Sequence, residues 1–248
     1  MILDDFTMLG KTVPEPNSDG RVFVCSAGYS PELRSLVRIY PLARHGAPKR
    51  WDTYQIPLER NPKDSRPESW QVAGDRTLGA HDDINASFQR VGKLAPSARS
   101  SALGGSAVES IAEANTRRLS LAIIHPSGTP ELTFEHNPDS PDSPELRLFD
   151  VASKPATGAR RFAFIPRLRF DDLAGSHHLM LRDWGCFEFL RKFGDDRRHE
   201  LTGALHLGSD SSLLIGNLSH QRNAWLVISV LNGLRPAPTL FDTKEVAA

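Results

Sequence analysis

Apolar positions in this chain come in short runs, cut by glycine, proline and acidic clusters. In "RVFVCSAGYS", "SLVRIYPL" and "WDTYQIPLER" the residues Val22, Val24, Val37, Ile39, Tyr40 and Ile56 supply the β-branched and aromatic bulk of strands. Gly28, Tyr29, Ser30 and Pro31 separate the first two, and Asn61 to Asp64 is a turn cluster that leads into a fourth run, "ESWQVAG". Short strands with Gly/Pro turns predict a small barrel or sandwich rather than a parallel sheet with crossover helices.

The pattern changes after residue 81. Ser106 and Glu109 have the spacing of a capping box, and Val108, Ile111, Ala112, Asn115 and Leu119 share one helical face, which predicts a helix there. "SLAIIHP" follows as a strand stopped by Pro126, and Thr129 to Pro144 is dense in proline, aspartate and serine, a surface connection at a domain boundary. Further strands are expected in "ELRLFDVA", "RRFAFIPRLRFDD", "HHLMLRDW", "SLLIGNL" and "AWLVISVL". Asp183 is placed to cap a helix over about 183–193, carrying Trp184, Phe187, Leu190 and Phe193, and Gly194 to end it. The expected fold is mostly β (α+β), two small OB-like barrels or sandwiches with one or two helices, over 1–128 and 145–248.

Composition narrows the function classes. The 248 residues are 39% apolar and carry 30 basic and 30 acidic side chains, so no global field draws the chain to nucleic acid or membrane; a local patch must do it. No run approaches the ~20 apolar residues of a membrane span, and "MILDDF" lacks the basic start of a signal peptide. Cytoplasmic location is therefore expected, with no membrane partner. Cys25 and Cys186 stand far apart in apolar stretches, as reduced, buried thiols would.

Several stretches resemble one family: "VCSAGYSPELRSLVRIYPL", "WDTYQIPLERNPKDSRPESW", "SLAIIHP", "LMLRDWGCFEFLRK" and "NAWLVISVL". Together they are similar to prokaryotic dual OB-containing proteins of unassigned activity. The most specific parts are Arg38 to Pro41, "DSRPESW" and "RDW". The resemblance covers most of the chain, which departs from it in its longer Ala/Ser/Gly segment and its Pro/Asp-rich connection. It implies two OB folds and, by the family's company, an accessory role in a genome-defence or mobile-element system. OB barrels most often bind oligonucleotides, so nucleic acid, single-stranded DNA or RNA, is the expected partner.

A single strand needs cations for phosphates and flat rings for bases. The candidate groove is Arg38, Tyr40, Arg66, Trp70, Arg167 and Arg169. In "DSRPESW" the simpler assignment is structural: Asp64, Glu68 and Ser69 bond turn amides, and Arg66 pairs with Asp64 or Glu68. No catalytic residue, metal site or cofactor is expected. His81 to Asp83 and the His177–His178 pair lack helical metal spacing. "GKT" at Gly10 to Thr12 is no phosphate loop, because Asp5 stands where that motif needs glycine. Two rivals stay open: a metal-dependent nuclease or nucleotide-processing enzyme using Asp64, Glu68, Asp183 or Glu188, and a non-catalytic protein-interaction subunit gripping a partner enzyme.

Overall fold

The computed structural model describes residues 1–16, 22–43, 48–74, 88–140 and 162–234. Its first half is built from β1 (Ile2–Lys11), a short β2 (Glu15–Pro16), β3 (Val22–Ser30), β4 (Ser35–Ala43), β5 (Asp52–Arg60), β6 (Ser69–Val72) and β7 (Gln89–Lys93). Antiparallel pairing runs β1–β3–β4, a parallel pair joins β4 to β6, β6 returns to β5, and β5 closes on β1. That is a closed five-stranded barrel with the Greek-key order of an OB fold. Its first strand lies in "MILDDFTMLG", outside the four runs expected to be strands.

Alternation along these strands fills the barrel. Leu3, Phe6, Met8, Val24, Val37, Ile39, Ile56, Leu58 and Val72 point inward and are buried. Gly28 belongs to this packing, because a Cβ there would lie 2.4 Å from the ring of Phe6.

The second half repeats the connectivity with its first strand broken in two. After α1 (Arg99–Leu103), β8 (Ala107–Val108) and α2 (Ile111–Thr116) come β9 (Leu121–Ile124) and β10 (Glu131–His136), then β11 (Phe164–Asp172) and β12 (Gly175–Met180). Helices α3 (Trp184–Phe193) and α4 (Leu201–Leu205) precede the closing β13 (Ser212–Asn217) and β14 (Trp225–Leu231). β10 pairs with β11 and β11 with β12; a parallel bridge from Leu181 to Val227 leads to β14; β14 pairs with β13, and β13 with β9. Read with β9 and β10 as one interrupted strand, the order matches that of the first barrel.

The domain limits expected from sequence need correction. Leu121–Ile124 was assigned to the first unit but pairs with β13, and Ile111 and Ala114 of α2 pack in the second core. The first barrel therefore ends near β7. The α2 cap is also displaced: Ser110, not Ser106, accepts the amide of Glu113, a capping box of the same S-x-x-E form begun four residues later. Asp183 caps α3 through the amides of Gly185 and Cys186, and Gly194 follows its last residue, as the spacing predicts.

A third apolar cluster joins the halves. Leu9, Ala27, Leu36 and Trp51 of the first barrel meet Leu121, Ile123, Leu214, Ile228 and Leu231 of the second. This explains the unbroken apolar runs of β9, β13 and β14. Ala122, Ile124, Leu213, Ile215, Val227 and Val230 fill the second barrel, while their alternate neighbours fill the seam.

Candidate functional site

Three of the six expected groove residues lie in that seam or in a core. Arg38 is 4% exposed on the outer side of β4, where Nη2 donates to the Ser120 carbonyl at 2.7 Å and Nη1 reaches Cys25 Sγ at 3.3 Å. Gly216 makes room for it, since a Cβ there would stand 3.1 Å from Nη2. Arg66 is 8% exposed; its Nε donates to both oxygens of Asp64, and Nη1 donates to the Asn217 carbonyl at 2.6 Å. Trp70 is buried in the first core, its remaining face covered by the guanidinium of Arg60, 3.8 Å from the ring centroid. Arg38, Arg66 and Trp70 are thus removed from any accessible groove. A buried guanidinium can be held by carbonyl oxygens, and here those oxygens belong to the second barrel.

"DSRPESW" is the clamp between the barrels. Asp64 accepts from Arg66 and from the Ser69 hydroxyl at 2.7 Å, while Glu68 accepts the Ser120 amide at 3.1 Å and its hydroxyl at 2.9 Å. Burial pushes the Asp64 carboxyl up, but the hydrogen bonds and charge of Arg66 and the bond from Ser69 outweigh it and carry the group down to about 2. Asp183 is similarly occupied: besides its capping bonds it accepts from Arg50 at 2.8 Å and from the Ser229 hydroxyl. Glu188 pairs with Arg191 at 2.8 Å. The four carboxylates considered for metal chemistry are therefore spoken for by protein donors. Among the described residues no group of three or more His, Cys, Asp or Glu side chains is placed to hold a metal ion.

Lys11 sits near this junction, with its ammonium 4.9 Å from the Trp184 ring centroid. Burial, with the charge of Arg50, lowers its pKa to about 8, against the opposing pull of Asp183 and Glu188. Of the two thiols, Cys186 is buried and its pKa pushed up by desolvation, whereas Cys25 is only half-buried, beside Arg38, and corrects the expectation that both are buried.

Arg167 and Arg169 have a different setting. They face outward from β11, opposite Thr133 and Glu131 on one side and Met180 and His178 on the other. Arg167 pairs with Glu135 at 2.5 Å and Arg169 with Glu131 at 3.7 Å, and both arginines keep solvent access, Arg169 at 61%. His178 shares this face, with Nε2 2.8 Å from the Thr133 hydroxyl; His177 points the other way, opposite Phe170, and meets Asp172 at 2.8 Å. The two histidines thus stand on opposite faces of β12. Phe162 is buried in the core. Tyr40 is half-buried, edge-on to Phe23. Trp51, Tyr54 and Trp225 are buried too, so these rings offer no stacking surface to bases. His81 to Asp83, Arg160 and Arg161 lie outside the described residues.

Cations outside the expected six-residue groove lie on and beside the seam loops. Arg60, Lys63, Arg118 and Arg222 are exposed, and among the described residues none of them forms an ion pair. Only the bonds of Arg222 to Ser65, between the barrels, and of Asn217 to the Leu119 carbonyl, within the second, bring the segments that carry them together.

Comparison with known proteins bears on the first barrel. A family model described as a domain of unknown function (DUF8758) matches residues 4–93, the span from β1 to β7. No curated protein and no solved structure matches the chain. Among the described residues no helix is long and apolar enough to cross a membrane.

Proposed function

We propose that this chain is a non-catalytic nucleic-acid-binding protein, an accessory or recognition subunit, that lays a single strand of DNA or RNA along the outer face of β11 and β12. One observation carries this assignment. Two barrels share the OB order, yet only the second leaves the outer face of its second and third strands open, and that face bears Arg167, Arg169 and His178. Exposed ion pairs such as Arg169 with Glu131 contribute little to stability, so phosphate can replace the carboxylate at small cost. The outer positions of β10, β11 and β12 carry no Phe, Tyr or Trp ring, and the His178 imidazole is held by the Thr133 hydroxyl, which makes the contact chiefly one with the sugar–phosphate backbone.

Fluorescence anisotropy of labelled single- and double-stranded DNA and RNA, over a salt series and with or without Mg²⁺ or Mn²⁺, tests this. The expected result is sequence-tolerant binding that weakens steeply with salt, no cleavage, and loss of affinity in an Arg167→Gln/Arg169→Gln variant. Absence of binding at low salt overturns the proposal. Divalent-dependent cleavage selects the nuclease alternative. The balance of Arg and Glu on this face also suits a protein partner, which co-purification of an enzyme by a chain that binds no oligonucleotide would select.

A further inference from the structure

We propose that Arg60, Lys63, Arg118 and Arg222, gathered where three loops meet on the seam, form a second phosphate-binding surface for a nucleic-acid strand. This rests on the nucleic-acid assignment above and locates a site that assignment does not contain. The loops are 61–68 of the first barrel, and 117–120 and 218–224 of the second. They are stitched together by direct bonds. Arg222 Nη2 donates to the Ser65 hydroxyl at 3.2 Å, and Asn217 Nδ2 donates to the carbonyls of Arg222 at 2.8 Å and Leu119 at 3.2 Å. Arg66 Nη1 donates to the Asn217 carbonyl, and Arg60 donates to the Pro67 carbonyl while lying flat on Trp70.

The charge at this place is not balanced locally. The acidic side chains of the same loops are already engaged: Asp64 holds Arg66, and Glu68 holds the amide and hydroxyl of Ser120. Beside them, Glu113 holds Arg117. Arg60, Lys63, Arg118 and Arg222 are left exposed without a carboxylate partner among the described residues. Arg167 and Arg169, by contrast, each have one. A chain of zero net charge has therefore concentrated unneutralised cations on one rim, where the potential attracts a polyanion. His220, Gln221 and Asn223, also exposed, add hydrogen-bonding groups to it. Because direct bonds anchor the loops to one another, with that from Arg66 to the Asn217 carbonyl buried, the cations are carried on a scaffold already ordered before binding.

The test is a Lys63→Gln/Arg118→Gln/Arg222→Gln variant, with Arg60 kept because it covers Trp70. It is compared with wild type and with Arg167→Gln/Arg169→Gln by anisotropy on a labelled single strand across a salt series. Thermal unfolding of each variant confirms the fold, and the single change Arg222→Glu serves if the triple variant does not fold. The expected result is at least a tenfold loss of affinity and a log–log salt slope shallower by about 2, from roughly 0.7 per lost phosphate contact. If wild type binds and the seam variant binds equally well with an unchanged slope, the seam surface is refuted while the nucleic-acid assignment stands. If wild type binds no oligonucleotide at low salt, both fall.

Discussion

The outer faces of β3 and β4 in the first barrel and of β11 and β12 in the second occupy equivalent places in one connectivity, yet they have opposite fates. On the first, Ala27, Leu36 and Arg38 alternate with the inward residues and are sealed against β9 and β13. On the second, Arg167, Arg169 and His178 alternate with Leu168, Phe170 and Leu179 and remain open. The difference lies in the outward positions: apolar ones draw a partner surface, and ion-paired ones keep water. An arginine is therefore not a ligand contact by type, since Arg38 and Arg169 differ chiefly in what the neighbouring outward residues are.

The contrast can be broken by variants graded from seam to open face. Arg66→Ala should have the largest effect, a loss of about 3–5 kcal/mol in urea unfolding, because it strands Asp64 and the Asn217 carbonyl in a buried place. A loss below about 1 kcal/mol would mean that water reaches the clamp. Leu214→Ala opens a cavity in the seam and should lose about 2–5 kcal/mol, with both barrels still unfolding in one transition by fluorescence and circular dichroism. Two separated transitions in the wild-type chain would show that the barrels are not one cooperative unit.

A smaller effect is set by pH. The folded Asp64 carboxyl lies near 2, below its unfolded value of 3.8, so the unfolded chain binds a proton first as pH falls. Its contribution, about 2 kcal/mol, is complete above pH 4 and lost as pH falls through 2. Acid titration of stability in Asp64→Asn should lack this limb. Smallest of all, Arg169→Ala should shift stability by under about 0.5 kcal/mol, since its ion pair is exposed, while weakening oligonucleotide binding. Equal losses of stability in Arg169→Ala and Arg66→Ala would erase the distinction between the two faces.

Much of the fold was legible in the chain. Turn residues and alternating bulk marked β3, β4, β5 and β6, and the Asp183 cap and Gly194 stop marked α3, because these signals are local and depend on backbone propensity and spacing. β1 was missed because its sequence, "ILDDFTMLGK", carries two adjacent acids in place of a clean alternation. Of the candidate site, the cations of "DSRPESW" and "RFAFIPRLRF" were visible and so was the pairing of Arg66 with Asp64, but the reach of Arg66 to the Asn217 carbonyl and the burial of Arg38 were not.

What the sequence determined by itself was a mostly β chain, most of its strand-bearing segments though neither β1 nor β10, its capped helix and its lack of net charge. Tertiary structure alone decided which face of each strand met a neighbour. A run such as "SLLIGNL" is equally apolar whether one side or both are buried, and only the docking of β9, β13 and β14 on the first barrel shows that both are. The same docking turned Arg38 and Arg66 inward and brought Arg60, Lys63, Arg118 and Arg222, up to 162 positions apart in the chain, onto one rim. Local signals fix backbone conformation; burial of a side chain depends on surfaces contributed by distant segments, which no local pattern encodes.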